Sequence, residues 1–302
     1  NRKVSGLRPQ HLTAIKILQK IVNAEVIGAE IGSTELKFIP KNIESLQLVE
    51  DVGTAGSISL ILQVLIPVIA SSQKKLDLKI KGGTDVLWSP SFDYTQHVLR
   101  EAFSRMGIEF SLELCKRGYY PKGGGEINLH VKPSKIKSIL LTKRKTKTIK
   151  IICTFSKLLK EDMENKIEEI KEKLVERNFI VNTQIKNQDA IDSGASLLIF
   201  SIDENSINGI DGLYDKKTKK FSLDLNKFYK NSLGVDENLV DMLVPVASLG
   251  PEKTIFHIKN ISKHLETNLF VTSKITGCRY GIGKINDGFE VIIEGVSYSS
   301  IK

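Results

Sequence analysis

His264 stands in Ser262-Lys263-His264-Leu265-Glu266-Thr267-Asn268, a polar stretch that reads as a turn ahead of a strand over 269–275. An imidazole held on a turn beside a rigid strand can act as a nucleophile or move a proton. A plain surface histidine has the same local signature, and residue chemistry alone leaves both open. His11, His97, His130 and His257 fall in helices or strands, and none pairs at metal-ligand spacing. Asp241 stands among Val240, Leu243 and Val244. A carboxylate there must be solvated, paired or bound to metal; it could orient His264 or hold a divalent cation on a nucleotide phosphate. Gln63, inside an apolar helix over 57–70, needs hydrogen-bond partners, either backbone groups or a ligand such as a nucleotide base.

Two glycine-rich segments stand out. Arg117-Gly118-Tyr119-Tyr120-Pro121-Lys122-Gly123-Gly124-Gly125-Glu126-Ile127 is the more unusual. Three successive glycines cost backbone entropy and are tolerated where the chain turns tightly or backbones approach closely. A bulged strand-to-strand connection explains them as well as a ligand does. Gly53-Thr54-Ala55-Gly56-Ser57 precedes the 57–70 helix and would leave N–H groups for an anion; Ser57 as a simple N-cap is the other reading.

The elements that must hold these groups follow from periodicity. Helices are expected over 10–22, 57–70 and 92–106, the last stopped by Gly107. Strands are expected over 25–30, 34–39, 76–80, 108–114 and 127–131. The order helix, strand, strand recurs about three times before residue 133, which points to an α/β (α+β) chain of repeated units. The run Lys143-Arg144-Lys145-Thr146-Lys147 reads as a solvated linker. After it come a strand over 149–155, a charged helix over 157–177 and strands over 196–202 and 220–225. The stripe of that helix is Leu158, Leu159, Met163, Ile167, Ile170 and Leu174, with Glu169 and Lys173 paired one turn apart. Residues 146–235 are thus expected to form a small inserted α/β domain, and 1–145 with 236–302 the main one. A helix over 237–249 and strands over 254–258, 269–275 and 289–295 complete the reading.

The 302 residues carry a net charge of +9, compatible with a polyanionic partner or with simple solubility. Three scattered cysteines argue against a disulfide framework or a zinc knuckle and for a reducing, cytoplasmic setting. The longest apolar stretch, 58–70, is too short to span a bilayer, so no membrane partner is expected.

Together the segments resemble the RNA 3′-terminal phosphate cyclase family, as an archaeal-like member. Arg117–Ile127 matches its glycine-rich signature. Gly6–Ala14, Gly28–Leu36 and Gly82-Gly83-Thr84-Asp85 look like family blocks, and His264–Asn268 resembles the catalytic block. The resemblance implies βαβαββ-type units in a large catalytic domain, interrupted by a small insert. It implies an ATP-using ligase in which His264 takes AMP from ATP and passes it to an RNA 3′-phosphate, after which the 2′-hydroxyl closes a 2′,3′-cyclic phosphate. Mg²⁺ or Mn²⁺ would assist, with Asp241 as a metal ligand. Gln63 and Asn238, Leu239, Val240, Asp241 and Met242 match the ATP-binding segments, and Pro90 would pack near the adenine. Arg2, Gln10 and Arg117 are assigned to phosphate or RNA-end contacts. The oligomeric state stays open, a homodimer among the options.

The chain departs from the family in three places. It begins after the family's first strand and an acidic glycine-rich loop. Asn238 stands where bacterial members often carry an aromatic residue, and Met242 replaces a common Gln. The competing readings are a non-catalytic cyclase-like protein of ribosome biogenesis, against which His264 speaks, and an enolpyruvate transferase of related architecture.

Overall fold

The computed structural model describes residues 5–44 and 46–296. The chain divides into two compact units. The first takes the chain up to Phe92 together with residues 109–134 and 188–194; the second takes the remainder.

In the first unit, α1 (Pro9–Ile21) starts on Pro9, whose missing N–H is no loss at a first helical position. Short strands β1 (Glu25–Ile27) and β2 (Lys37–Ile39) pair antiparallel. The main sheet holds β3 (Leu46–Asp51), β4 (Leu76–Gly82), β5 (Phe110–Lys116) and β6 (Gly125–Val131) in the order β3-β4-β6-β5. Its β3/β4 pair is parallel and the others are antiparallel. Leu76, Leu78 and Ile80 are buried, as their alternation requires. Helix α2 (Ile58–Ala70) connects β3 to β4 and is capped by Ser57, whose Oγ accepts from the Leu60 N–H at 3.3 Å.

Helix α3 runs Phe92–Tyr94, passes a π turn over Thr95–Leu99 and continues as Arg100–Arg105; the second unit takes it from Asp93 onward. It stops at Gly107, where φ is +82°. The strands are β7 (Leu140–Leu141), β8 (Thr148–Ser156), β9 (Ile180–Asn187), β10 (Gly194–Asp203), β11 (Ser206–Asp215), β12 (Lys220–Phe221), β13 (Lys253–Ile258), β14 (Arg279–Ile285) and β15 (Gly288–Glu294). The helices are α4 (Lys160–Val175), α5 (Leu225–Tyr229), α6 (Glu237–Ala247) and α7 (Lys263–Thr276). One sheet has the order β12-β11-β10-β8-β9 and encloses a core of Ile149, Ile151, Phe155, Met163, Leu197 and Phe228 among others. The other has the order β14-β15-β13-β7, with β13 and β7 parallel. Strand β14 is its outer strand and is exposed along nearly its whole length.

Four expectations are corrected. Residues 269–275 are helix, not strand: Leu265, Leu269 and Thr272 are buried at helical spacing between the Ser262 cap and a left-handed Gly277. Leu159 is the N-cap of α4 and 71% exposed, so it leaves the apolar stripe. Glu169 pairs with Lys166 at 2.6 Å rather than with Lys173. The 143–147 run is not simply solvated. Arg144 donates to the carbonyls of Phe228 and Tyr229 and lies over the Phe179 and Phe228 rings, and its burial lowers its pKa to about 10.

Candidate active site

The assigned residues are split between the units. Gln10, Gln63, Pro90 and Arg117 belong to the first; Asn238–Met242 and His264 belong to the second. Arg2 lies outside the described residues.

Within the first unit, the glycine-rich signature and the Gly82–Asp85 block interlock. Arg117 is 1% exposed, and its guanidinium donates to both Asp85 carboxylate oxygens at 3.0 and 2.9 Å and to Gln188 Oε1 at 2.8 Å. In this arrangement the fork holds the segment together rather than pointing at a ligand. Thr84 Oγ1 accepts from the Gly118 N–H, and the Gly118 carbonyl accepts from the N–H groups of Thr84 and Asp85. A Cβ on Gly123 would sit 2.8 Å from the Ala55 Cα, where φ is also +68°. Close approach explains the glycines.

The 53–57 loop is also occupied from within. Its Gly53, Gly56 and Ser57 N–H groups donate to Asp51, Thr54 and Gln10 side chains respectively, and Ile58 N–H donates to Gly83 O. The anion cradle read from the sequence is therefore filled at these positions by the protein's own acceptors. Gln10 clamps this loop through its Oε1 at 3.3 Å from the Ser57 nitrogen. Gln63 is not buried; it lies half-exposed beside Val64, and its amide bonds no described residue. Pro90 is half-buried in the loop after β4.

Within the second unit, His264 occupies the first turn of α7, where Ser262 Oγ accepts from Leu265 N–H at 3.0 Å. It is exposed, and among the described residues its ring has no hydrogen-bond or ionic partner. The other histidines are engaged. His11 Nδ1 accepts from Arg8 N–H, His130 meets Asp77 and His257 meets Glu290. His97 stacks on Phe200, and burial lowers its pKa.

Asp241 does not bond His264. Its Oδ1 and its backbone carbonyl both accept from the Asn268 amide at 2.9 Å. Asn268 lies one helical turn beyond His264, on the same face of α7. It ties that face to α6, a role the sequence signals only by the i, i+4 spacing. Leu239, Val240 and Met242 are core residues of α6, leaving Asn238 and Asp241 as the outward pair. Sequence reading also missed Asp236. It caps α6 by accepting from the Asn238 and Leu239 N–H groups, and it accepts from Tyr94 Oη and Gly209 N–H. Burial pushes its carboxyl up to about 6 against those bonds. A cavity of about 290 Å³ opens here, lined by Asn208, Lys227, Asn238, Lys259 and Asn260 among others.

Among the described residues no cluster of three His, Cys, Asp or Glu side chains gathers into a metal site. Among the described residues no helix is long and apolar enough to cross a membrane.

Residues 1–282 match the family described as RNA 3′-terminal phosphate cyclase, and the chain belongs to that family of enzymes. It is similar to the RNA 3′-terminal phosphate cyclase of Methanosarcina barkeri, 34% identical over 97% of this chain and 88% of that one. The same-named protein of Pyrococcus abyssi is 34% identical over 92% and 83% of the two chains. A solved EPSP synthase from Acinetobacter baumannii aligns at 12% identity over 96% of this chain and 57% of that one, with a TM-score of 0.26.

Proposed function

We propose that this chain converts RNA 3′-phosphate ends into 2′,3′-cyclic phosphates at the expense of ATP, with His264 as the nucleophile. One observation carries this reading: of the five histidines, His264 alone is exposed with its ring free of described partners. It sits at a helix N-terminus, a setting that favours phosphate. A ring nitrogen attacks the α-phosphorus of ATP as the bond to pyrophosphate breaks. An oxygen of the RNA 3′-phosphate then takes the AMP, and the His264 nitrogen leaves. Finally the 2′-hydroxyl gives up its proton, attacks the 3′-phosphorus and expels AMP. Splitting the reaction through a covalent intermediate lowers each barrier.

Asp241 is read as giving one carboxylate oxygen to a divalent cation, a reading supported by its Oδ2, which bonds no described residue. A cation held by one carboxylate and the substrate's own phosphates suits Mg²⁺ or Mn²⁺ and would neutralise phosphate charge. Within the second unit, the exposed Asn238 is read as a nucleotide contact. We read 146–235 as an inserted α/β domain, supported by the separate core of its five-stranded sheet. The two four-stranded sheets are read as βαβαββ repeats, supported by their shared strand order.

The test is incubation of the chain with α-labelled ATP. An acid-labile protein–AMP adduct, lost in His264→Ala, supports the reading. Absence of any adduct would favour a non-catalytic relative.

A further inference from the structure

We propose that Trp88 is a stacking platform for an unpaired base of the RNA substrate, an inference that rests on the reading of the chain as an RNA-end enzyme. Trp88 is the single tryptophan of the chain and is 94% exposed. Its φ is +62°, in the left-handed region that side chains other than glycine, Asn or Asp rarely adopt. Six described non-glycine residues have positive φ; the other five are Asn23, Gln73, Lys157, Asn178 and Lys219. Those are polar residues suited to a solvated turn. Only Trp88 combines an unfavourable backbone with a large apolar surface in water. Neither feature helps the fold, and strain of this kind gathers at binding sites.

The turn itself is held. Val86 is buried, Ser89 Oγ donates to the Val86 carbonyl at 2.9 Å, and the preceding Asp85 is fixed by Arg117. A parallel bridge between Asp85 and Tyr119 starts the two following segments side by side. The second of them presents Tyr120, 73% exposed, and then the exposed Lys122. Among the described residues neither the Trp88 nor the Tyr120 ring stacks on another ring or carries a cation. An indole and a phenol on fixed turns, with a lysine beside one of them in a chain of net charge +9, fit bases on a phosphate backbone.

Because Trp88 is the only tryptophan, its fluorescence reports on this turn alone. Single-stranded RNA ending in a 3′-phosphate, titrated into the full chain, should quench that emission. The quenching should saturate at the dissociation constant given by anisotropy of the labelled RNA. Trp88→Ala should weaken RNA binding roughly 5- to 100-fold, and Trp88→Phe less. Adenylylation by ATP should be unchanged in both. Trp88→Gly should bind RNA as poorly as the alanine variant yet melt at a higher temperature than the parent, because glycine relieves the backbone. Equal RNA affinity in parent and Trp88→Ala, RNA binding without quenching, or no RNA binding by the parent would each overturn the proposal. Adenylylation with normal RNA binding by Trp88→Ala sinks the stacking role alone and leaves the indole to a protein partner. Quenching and Trp88-dependent binding without adenylylation sink the enzymatic reading alone.

Discussion

The two four-stranded sheets share an order but not a character. In each, the first strand pairs parallel with the second, and the remaining two add antiparallel, giving β3-β4-β6-β5 and β7-β13-β15-β14. The segment after β4 and the β5–β6 connection are locked by a buried ion pair and by glycines in backbone contact. The segment after β13 instead opens into α7 and leaves an imidazole in solvent. The same strand order can therefore lock its connections or leave them open to solvent, and burial of the polar groups decides which. Charged groups inside have to be fully partnered, whereas an exposed ring can be left to solvent at little cost.

The sharpest way to break this contrast is His264→Ala. It should reduce formation of the nucleotide adduct by about 10³-fold or more, while the denaturation midpoint stays put, because an exposed ring contributes little to folding. Persistence of the adduct would remove the second sheet's claim to the chemistry. On the locked side, Arg117→Ala strands the Asp85 carboxylate in the interior. It should cost about 3–5 kcal/mol of stability in a denaturant titration. A mild effect would mean that the connection is not locked by charge.

Asp236 sharpens the comparison through pH. Burial raises its carboxyl to about 6, above the ordinary value of about 3.9. The folded state thus holds a proton that the unfolded chain releases, so this contribution to stability is full below about pH 4 and is lost as pH rises through about 6. Asp236→Asn, which can still cap α6, should flatten the fall in melting temperature across that window. An unchanged slope would discount the buried carboxyl. The smallest effect is expected from Asn268→Ala. Loss of its two bonds to Asp241 should cost about 1 kcal/mol and slow adduct formation roughly tenfold, with ATP affinity nearly kept. An unaltered adduct rate would show that the tie between α6 and α7 does not position His264.

Much of the fold was written in local pattern. Helix α2 is a continuous apolar run behind a serine cap, and β4 alternates cleanly. Helix α7 was misread because Leu269-Phe270-Val271-Thr272 has the residue types of a strand, whereas the deciding spacing, Leu265 to Leu269 to Thr272, belongs to a helix. Strands β3 and β9 went unseen because both are half-exposed and interrupted by polar residues. In the candidate site, the Ser262–Asn268 block drew attention to His264, but its place in the first turn of a helix was not read from it. The bonds of Arg117 to Asp85, 32 positions away, and of Tyr94 to Asp236, 142 away, were not. No periodicity encodes a partner at such distance; only the tertiary fold brings them together.

Strand β14 has a further consequence. As an outer strand it offers a row of backbone donors and acceptors to any passing chain, which is the usual seed of ordered aggregation. Its sequence, Arg279-Tyr280-Gly281-Ile282-Gly283-Lys284-Ile285, places two glycines at its centre and a cation near each end. Glycine makes a poor template for a new strand, and Lys284 keeps a charge at the border while Arg279 pairs with Glu294 of β15. The border is thereby kept from recruiting its neighbours in a crowded solution.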